Sequence, residues 1–586
     1  MHKLSKLQIK NFKSIKNSEF FLSNFTPIIG YNNAGKSNVL EAILWLMNKS
    51  VLPEYFFNDL TKEIEISGEI TGITKSILES LGSHKSSIEK YIYNGEIKIK
   101  RIHPVSPIKL ADIKLYVYDR AKEEWTLNPS GIDGALKKLY PEPIVIKAMD
   151  NTEDDIGKFK STSTIGKLIG EIIKPIEEKY SENIATCMDS IDKLLSVNGD
   201  NRVEELNQFD DSLNDKLNEI FPDLKLKLDI STPRISDIFK SGTLKILEVG
   251  SVSERGVENF GTGAKRTIQM TLIRQLAEVK KNQDTNSTTL LLIDEPELYL
   301  HPQAIEQLRV SLKQLSENGY QIVFTTHSGQ MVSSNDIKNT IILKKCLMNG
   351  TQPRKTLYES VESIEINHEN QLELLFNLSN SNDILFSEKI ILAEGKTEKK
   401  LLPFLYERTN ENRTFLLDKI SIISQGGVTN TLKTQKVLEV MGLDAKAIVD
   451  LDFVFTHGIK SGCLDTEDED IKKCKDIMKR LDQEGKLKIN ETTKLPQKWN
   501  DKKAEFYYSV LAKDSEAEHC IKNLHEKMKS NKIWLWTTGA IETQLELNSK
   551  TEKEWATFKE NIMKQTNDEI KTKYPTLVEL FNWIKQ

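Results

Sequence analysis

Apolar side chains recur at every second position in several short segments of the first 130 residues. The clearest are residues 64–70, 97–100 and 115–118. A two-residue period is typical of strands with one buried face, so we predict an antiparallel β-meander in this part of the chain. Between residues 162 and 221 apolar side chains recur at three- and four-residue spacings instead. That spacing predicts a helical insertion, either an arm or a dimer-forming element.

The rest of the chain alternates between continuous apolar runs and stretches with helical spacing. We predict a helix at 265–280 and strands at 224–230, 244–249, 290–293 and 321–324. A second unit of the same kind begins near residue 387, with predicted strands at 389–393, 420–423, 447–449 and 534–536. Strands that alternate with helices favour a parallel sheet, so the expected fold class is α/β.

Composition excludes several classes of protein. The chain has 586 residues, enough for two or three domains, and 38% of them are hydrophobic, enough to build cores. It carries 81 basic and 86 acidic residues, which excludes a uniformly basic nucleic-acid-binding protein but not a local basic groove. There is no apolar run of membrane-spanning length and no signal-peptide pattern, so we expect no membrane association and a cytoplasmic location. The 5 cysteines form no CxxC pair, so neither a disulfide framework nor a zinc site is predicted.

Residues 30–37, Gly-Tyr-Asn-Asn-Ala-Gly-Lys-Ser, match the phosphate-binding pattern GxxxxGK[ST]. A short apolar run precedes them and a helical apolar stripe follows, as this loop requires. Backbone N–H groups of the loop would surround the phosphates, Lys36 would add a positive charge, and Ser37 would bind Mg²⁺. The predicted nucleotide-binding residues here are Gly30, Asn32, Asn33, Gly35, Lys36, Ser37 and Asn38.

A second nucleotide-site element follows the apolar run at 290–293, which ends in Asp294 and Glu295. Such a run predicts a strand buried on both faces, and ligands of α/β sheets bind at the carboxyl ends of strands. Asp294 would hold Mg²⁺, and Glu295 would orient or deprotonate the water that attacks the γ-phosphate. His327, just past the next predicted strand, is placed to sense that phosphate.

Together these segments resemble the ABC-type ATPase head of the SMC, RecF and OLD proteins. The resemblance makes residues 30–37 Walker A, Asp294 and Glu295 Walker B, and His327 the switch histidine. Residues 298–302, in the run Glu-Leu-Tyr-Leu-His-Pro, resemble the EPExxLHP segment of OLD-like proteins. Gly261 and Gly263 would form a signature loop that contacts the ATP of a second subunit, although Lys265 stands where a glutamine is usual. The resemblance therefore implies ATP and at least a homodimer.

The C-terminal third contains a separate set of acidic residues. The predicted strand at 389–393 is followed by Glu394 and, four residues later, by Glu398, which can converge if a helix begins near residue 397. The strand at 447–449 is followed by Asp450 and Asp452, which would point the same way on an extended segment. Carboxylate oxygens suit Mg²⁺ or Mn²⁺, and two such ions can activate a water for phosphodiester cleavage.

The order of these acidic residues resembles a Toprim domain, and residues 424–430 lie where OLD-type Toprim domains carry a glycine-rich loop. The segment 534–542 resembles a late family segment that ends in a metal-binding glutamate, here Glu542. A lysine often assists in these nucleases, and both Lys532 and Lys550 are candidates. An ABC-type head followed by a Toprim domain is the arrangement of the OLD family of ATP-regulated endonucleases, which includes the Gabija nucleases and some retron effectors.

The resemblance implies an ATPase head at 1–160 and 232–380, a helical insertion or dimerisation element at 161–231, and a Toprim nuclease domain at 385–586. The expected function is a DNA endonuclease with catalytic residues Glu295, His327, Glu394, Asp450 and Asp452, working in bacterial antiphage defence with a possible partner protein. Eleven basic against six acidic residues at 471–505 could follow a DNA backbone, or they could form a solvated helix face. The alternative is an ATP-dependent DNA-binding protein of the RecF or SMC kind that does not cut. A topoisomerase or primase would need a further catalytic module that the sequence does not show.

Overall fold

The computed structural model describes residues 2–105, 109–140, 143–148, 164–219, 221, 224–232, 244–247, 250, 253–280, 288–333, 335–364, 382–425 and 429–586. Within these ranges the chain forms two compact units. The first comprises residues 1–28, 35–331 and 345–352, and the second comprises residues 29–34, 332–344 and 353–586. The predicted domain boundaries at 160/161 and 380 fall outside the described residues and stay predictions. The boundary at 231/232 lies within the described residues and also stays a prediction.

The strands before residue 360 form a large mixed sheet and one short hairpin. They are β1 (Lys3–Phe12), β2 (Ile15–Phe21), β3 (Phe25–Gly30), β4 (Ile64–Thr71), β5 (Ile97–His103), β6 (Lys114–Asp119), β7 (Glu124–Leu127), β8 (Ile144–Ile146), β9 (Lys245–Ile246), β10 (Arg255–Gly256), β11 (Thr289–Ile293), β12 (Tyr320–Thr326), β13 (Ile341–Cys346) and β14 (Gly350–Pro353). Twelve of them form one sheet in the order β7-β6-β5-β4-β1-β2-β14-β13-β3-β12-β11-β8, and β9 pairs with β10.

The predicted meander is confirmed at one end of this sheet. Strands β1, β4, β5, β6 and β7 pair with their neighbours in antiparallel fashion. Every second residue of β4 and of β5 is buried, as their alternating sequences predict. At the other end β11 runs parallel to β12 and β8, and all the residues of β12 are buried. The continuous apolar runs thus form the parallel, doubly covered part of the sheet.

The helical spacing between residues 162 and 221 predicted a helical insertion, and the structure has two helices there. The helices of the first unit are α1 (Lys36–Met47), α2 (Lys75–Ser80), α3 (Lys85–Ile88), α4 (Ile132–Leu139), α5 (Thr164–Leu195), α6 (Glu204–Asn218), α7 (Thr262–Lys280) and α8 (Pro302–Glu317). The predicted strand at 224–230 is wrong: these residues form no strand, and the apolar Leu224, Leu226 and Leu228 are exposed. Alternation alone cannot form a strand without a neighbouring sheet edge to pair with.

The second unit contains a four-stranded parallel sheet. Its strands are β15 (Lys389–Ala393), β16 (Ile420–Ser424), β17 (Asp444–Val449) and β18 (Ile533–Leu535), in the order β16-β15-β17-β18. All three pairings are parallel, which confirms the second α/β unit. Two apolar clusters cover the sheet, one containing Ile390 and Leu392 and the other Ile391 and Ala393, because successive side chains of β15 point to opposite faces.

Helices cover both faces of this sheet and continue to the end of the chain. They are α9 (Leu357–Glu362), α10 (Lys396–Thr409), α11 (Thr431–Val440), α12 (Asp452–Phe455), α13 (His457–Lys460), α14 (Glu469–Gln483), α15 (Ala504–Ala512), α16 (Ser515–Ser530), α17 (Ile541–Gln544), α18 (Glu552–Met563), α19 (Asn567–Lys573) and α20 (Pro575–Lys585). Among the described residues, no helix combines the length and the apolar character needed to span a bilayer.

Candidate functional site

The loop between β3 and α1 has the backbone that phosphate binding requires. Gly35 has a φ of 96°, and a Cβ added there would lie 2.4 Å from Oγ1 of Thr351, so only glycine fits. Asn33 also has a positive φ, 63°, and the side chains of Asn32 and Asn33 are exposed. The helix begins directly after Gly35, so the N–H groups of its first turn point toward the loop.

Lys36 and Ser37, in the first turn of α1, contact residues predicted to complete the nucleotide site. The Nζ of Lys36 lies 2.8 Å from Nε2 of His327. The hydroxyl of Ser37 donates to the carboxylate of Asp294, with oxygen–oxygen distances of 3.0 and 2.9 Å. Burial lowers the pKa of Lys36, and the negative charges of Glu295 and Asp294 oppose that shift. Three segments that are far apart in sequence are therefore neighbours in the fold. They contribute Lys36, Ser37, Asp294, Glu295 and His327.

Glu295 is held in an unusual backbone conformation. Its φ is 48°, which is rare for a residue with a side chain and is often found at functional sites. Its N–H donates to the carbonyl oxygen of Thr325 at 3.2 Å and to the Thr325 hydroxyl at 3.0 Å. The Oε1 atom of Glu295 lies 3.1 Å from Nε2 of His327. The neighbouring strand β12 thus orients both the glutamate and the histidine.

Arg266 supports this acidic pair and was not singled out by sequence reasoning. Its Nη2 donates to the carbonyl oxygens of Asp294 and Glu295 at 2.9 and 2.7 Å. Its Nη1 donates to the carbonyl oxygen of Lys147 at 3.1 Å. The side chain is buried in α7, so one guanidinium fixes the turn that follows β11. Nothing in the sequence distinguished it from its basic neighbour Lys265.

Glu297 is a second supporting residue that sequence reasoning missed. Its Oε1 accepts hydrogen bonds from the Thr326 hydroxyl and from the backbone N–H of His327, both at 2.7 Å. The carboxylate therefore fixes the backbone that carries His327. The second glutamate of the Glu-Pro-Glu segment was the signal that could have identified it.

Asn38, Gly261 and Gly263 are further predicted residues of the nucleotide site. The Nδ2 of Asn38 donates to Oγ of Ser14 at 2.7 Å, so this amide is directed to the turn between β1 and β2. Gly261 and Gly263 lie at the start of α7, and a Cβ added at Gly261 would meet nothing within 4 Å. Their predicted contact needs a second copy of the chain and stays a prediction.

The acidic set of the second unit is built on two adjacent strands. In β15 and β17, which run parallel, Ala393 lies opposite Ile448. Glu394 and Asp450 therefore emerge side by side at the carboxyl edge of the sheet. The Oε2 of Glu394 accepts a hydrogen bond from the backbone N–H of Asp450, with 3.0 Å between the atoms.

The expected geometry of Asp450 and Asp452 is corrected by the structure. Leu451 between them has helical φ and ψ of −64° and −26°, and Asp452 begins α12. They are therefore not on an extended segment, because the strand ends at Val449. The Oδ1 atoms of Asp450 and Asp452 are both buried and have no hydrogen-bond partner among the described residues.

Glu398 and Glu542 approach the same region from two helices. Glu398 lies in the first turn of α10, where a negative charge is favoured by the helix dipole, and it is 2% exposed. A Cβ added at Gly395 would lie 3.1 Å from its Oε2. Glu542 lies in α17, and its Oε1 accepts a hydrogen bond from the hydroxyl of Thr397 at 2.5 Å. Helix α10 therefore carries Glu398 and, through Thr397, also contacts Glu542.

The acidic side chains raise one another's pKa. Burial, followed by the charge of Asp452, raises the pKa of Glu394 to about 7. Burial also raises the pKa of Glu398 to about 7, with a contribution from Glu542. Burial and the charge of Glu394 raise the pKa of Asp450. Buried carboxylates that repel one another in this way are the ordinary surroundings of a divalent cation.

Lys550 faces this cluster and Lys532 does not. The Nζ of Lys550 lies 3.4 Å from Oε2 of Glu542. Burial lowers the pKa of Lys550, but the charges of Glu542 and Asp450 outweigh it and raise that pKa to about 12. Lys532 pairs with Glu439 and Asp444 at the amino-terminal ends of β17 and β18, the opposite edge of the sheet.

The donor set fits a hard divalent cation. In the parts of the chain that are described, no three His, Cys, Asp or Glu side chains are arranged to hold a metal ion together. Two carboxylates instead accept protein hydrogen bonds, Glu394 from Asp450 and Glu542 from Thr397. The unpartnered buried oxygens of Asp450 and Asp452 are those that a cation would satisfy. The predicted glycine-rich loop at 424–430 lies partly outside the described residues, at 426–428.

The chain is 36% identical over 595 residues to "Old nuclease" of Escherichia phage P2, an alignment that covers 99% of this chain and 100% of that protein. The chain belongs to the OLD nuclease family. It is also similar to "Endonuclease GajA" of Bacillus cereus (strain HuB5-5), with 21% identity over 92% of this chain and 83% of the relative. A solved SMC head bound to the C-terminal winged-helix domain of ScpA matches 60% of this chain and 97% of its own, with 15% identity and a TM-score of 0.37.

Two family profiles divide this OLD-family chain between the two sites. Residues 25–332 match an AAA domain that also carries the descriptions AbiEii toxin and Type IV TA system. Residues 385–452 match the "Overcoming lysogenization defect protein-like, TOPRIM domain". The predicted family and the α/β fold class, with an ATPase domain followed by a Toprim domain, are confirmed. Glu542 and Lys550 lie beyond the matched Toprim residues.

Proposed function

We propose that this OLD-family chain is an ATP-binding, metal-dependent DNA endonuclease. One observation carries the proposal: buried, unpartnered carboxylate oxygens of Asp450 and Asp452 lie beside Glu394 at the carboxyl edge of a parallel sheet. An unpaired buried charge is destabilising by several kcal/mol, on the order of the cost of removing one partner from a buried pair. A fold keeps such an arrangement where a ligand of opposite charge is needed.

The metal ligands that we propose are Glu394, Glu398, Asp450, Asp452 and Glu542. Bound divalent ions, Mg²⁺ or Mn²⁺, would supply an activated water and stabilise the leaving oxygen of the phosphodiester. Lys550 would contribute a positive charge that its raised pKa keeps protonated. Its Nζ lies at the rim of the cluster, with the side chain 56% exposed, and so can reach a phosphate of a bound strand.

The nucleotide site would work through residues of the first unit. Lys36 would neutralise phosphate charge, while Ser37 and Asp294 would hold Mg²⁺ together, since their oxygens already meet. Glu295 would orient or deprotonate the attacking water. His327, which lies within 3.1 Å of Glu295, would report the state of the γ-phosphate.

Exposed lysines near the acidic set support DNA as the substrate. Lys502 and Lys503 directly precede α15, and its Glu505 acts electrostatically on Asp452. Tyr508 in the same helix stacks on Phe455 of α12, with 5.6 Å between the ring centroids, so α15 packs beside the acidic edge. Cations in this position would contact the DNA backbone, and binding should weaken as salt concentration rises.

The remaining parts of the proposal rest on family membership. They are action as a homodimer, with Gly261 and Gly263 near the ATP of the second subunit, a cytoplasmic location, and a role in bacterial antiphage defence with a partner protein. The size of the oligomer is testable by sedimentation with and without ATP.

The test is incubation of the purified full chain with supercoiled and linear DNA, with and without Mg²⁺, Mn²⁺ and ATP. We expect metal-dependent nicking or cleavage that D450N abolishes, and ATP hydrolysis that K36A removes. D476N is the matched control, because Asp476 is an exposed carboxylate of the same unit paired only with Lys479 in the described structure. Cleavage that persists in D450N would contradict the metal assignment. DNA binding without cleavage by the wild-type chain would favour the RecF- or SMC-like alternative.

A further inference from the structure

Tyr31 is the second residue of the Walker A loop, at a position that the phosphate-binding pattern leaves open. The first half of this loop, residues 29–34, belongs to the same compact unit as residues 353–586. Ile29 lies in the same apolar cluster as Ile390 and Leu392 of β15. The hydroxyl of Tyr31 donates to the carbonyl oxygen of Phe386, with 3.2 Å between the oxygens.

A lysine also contacts the ring of Tyr31. The Nζ of Lys419 lies 4.2 Å from the centroid of the Tyr31 ring, a cation–π distance, and also 2.7 Å from Oε1 of Glu388. Burial, with the charge of Glu388, raises the pKa of Tyr31 to about 12. The phenol therefore keeps its proton at neutral pH and remains a donor. Tyr31 thus has two kinds of contact with one small set of residues.

These contacts lie where two strands of the parallel sheet begin. The N–H groups of Glu388 and Lys389 donate to the carbonyl oxygen of Lys419 at 3.0 and 3.2 Å, which joins the amino-terminal ends of β15 and β16. Strand β15 is short and its last four residues are fully buried. At about 3.3 Å per residue, its far end lies roughly 16 Å away. That end is followed directly by Glu394.

We propose that Tyr31 is a positioning residue that transmits the nucleotide state of the Walker A loop to the acidic site through β15. The inference deepens the proposed function and rests on it. Bound phosphates require the loop N–H groups to point inward, so the backbone that carries Tyr31 depends on occupancy. A packed strand moves as a rigid element, and a shift of β15 along β17 changes the position of Glu394 relative to Asp450.

The first test compares DNA cleavage with and without ATP in wild type, Y31F, K419M and K419R. We expect ATP to change the wild-type rate about fivefold or more, in either direction, as coupled sites commonly do. In K419M, the ratio of the cleavage rate with ATP to the rate without ATP should lie within about twofold of 1. Cleavage without nucleotide should stay at the wild-type rate, since Lys419 lies outside both sites. Y31F, which keeps the ring but loses the hydroxyl, should reduce the ratio in part, and K419R should keep it. K433M, an exposed lysine of the same unit, is the control.

A wild-type ratio of 1, or a K419M ratio equal to the wild-type value, would overturn the inference while leaving the nuclease proposal intact. A second measurement does not need cleavage. Hydrogen exchange of the peptide 384–396 should change on ATP addition in the wild type and not in K419M. If exchange there is the same with and without ATP in the wild type, Tyr31 transmits nothing. If exchange responds but no DNA is cut, the coupling stands and the nuclease proposal fails.

Discussion

Glu394 accepts a hydrogen bond from the backbone N–H of Asp450, with 3.0 Å between its Oε2 and the nitrogen. The bond joins the residues that follow two adjacent parallel strands, β15 and β17. The carboxylate of Glu394, which a cation would otherwise attract, thus accepts a hydrogen bond from the protein instead. The acidic site of the described structure is therefore stabilised by backbone contacts, and its remaining charge repulsion should be measurable as a dependence of stability on pH.

The metal-free protein should lose stability as pH rises from about 4.5 to about 7. The folded-state pKa of Glu398 is raised to about 7 by burial and by Glu542, so the folded chain binds this proton more tightly than the unfolded chain. Its favourable contribution is complete below the unfolded pKa and is lost as pH rises through the folded pKa. E398Q removes that loss. The free energy of unfolding of E398Q minus that of the wild type should therefore increase by on the order of 2 kcal/mol between pH 4.5 and 7.5.

Urea unfolding in the presence of a chelator, at several pH values, measures this difference. E552Q is the matched control, because Glu552 also lies in the first turn of a helix but its side chain is 76% exposed. Parallel pH profiles for wild type and E398Q would contradict the raised pKa. Added Mn²⁺ should stabilise the wild type more than E398Q, since the variant loses one oxygen ligand and one negative charge.

The sequence predicted strands and helices well where their patterns were local. The runs at 389–393 and 420–423 became β15 and β16, because an apolar run bounded by polar residues has few alternatives in a parallel sheet. The strand at 224–230 failed, since pairing depends on a neighbour that the local pattern does not contain. Asp450 and Asp452 were expected on extended backbone, but β17 ends one residue before Asp450.

The site residues identified from motifs are those that would touch ligands, and the ones missed act on backbone. Glu297 accepts a hydrogen bond from the backbone N–H of His327, and Arg266 donates to the carbonyl oxygen of Asp294, just after β11. Such contacts join residues far apart in the chain, so spacing within one motif cannot reveal them. The choice between Lys532 and Lys550 likewise needed the fold, because one lies at each edge of the same sheet.

Replacing Lys550 should affect DNA cleavage and replacing Lys532 should not. K550M removes the positive charge next to Glu542, which we expect to slow cleavage by about 10²-fold, the usual effect of losing one electrostatic contact to a reacting group. K532M removes a pair with Glu439 and Asp444 on the exposed opposite edge, where ion pairs contribute little. Plasmid nicking rates at saturating Mg²⁺ measure both. Equal rates for the two variants would contradict the assignment of Lys550.

E295Q should separate ATP binding from ATP hydrolysis. The amide keeps the shape of the side chain but cannot deprotonate water, so we expect hydrolysis to fall by about 10²- to 10⁴-fold, the range for a general base. ATP should still bind, because Lys36 and Ser37 are unchanged. Phosphate release and equilibrium binding of a fluorescent ATP analogue measure the two effects. E306Q, an exposed carboxylate of α8, is the control, and hydrolysis retained in E295Q would move the base elsewhere.

R266K should impair hydrolysis without removing ATP binding. The guanidinium of Arg266 donates to the carbonyl oxygens of Asp294, Glu295 and Lys147, and a lysine ammonium cannot reach all three in one plane. Buried carbonyl oxygens without donors would destabilise the fold by about 1–3 kcal/mol. The turn that carries Glu295 should then relax, because a positive φ is strained for a residue with a side chain.

Steady-state ATP hydrolysis in R266K should therefore show kcat reduced by about tenfold or more, with KM for ATP changed less than about threefold, since the arginine acts on the position of Glu295 and not on the nucleotide. R274K is the matched control on the same helix, where the side chain is exposed. A rise in KM alone would mean that Arg266 contributes to ATP binding. Unchanged kcat in a folded R266K would show that the three carbonyl contacts do not position the water-activating carboxylate.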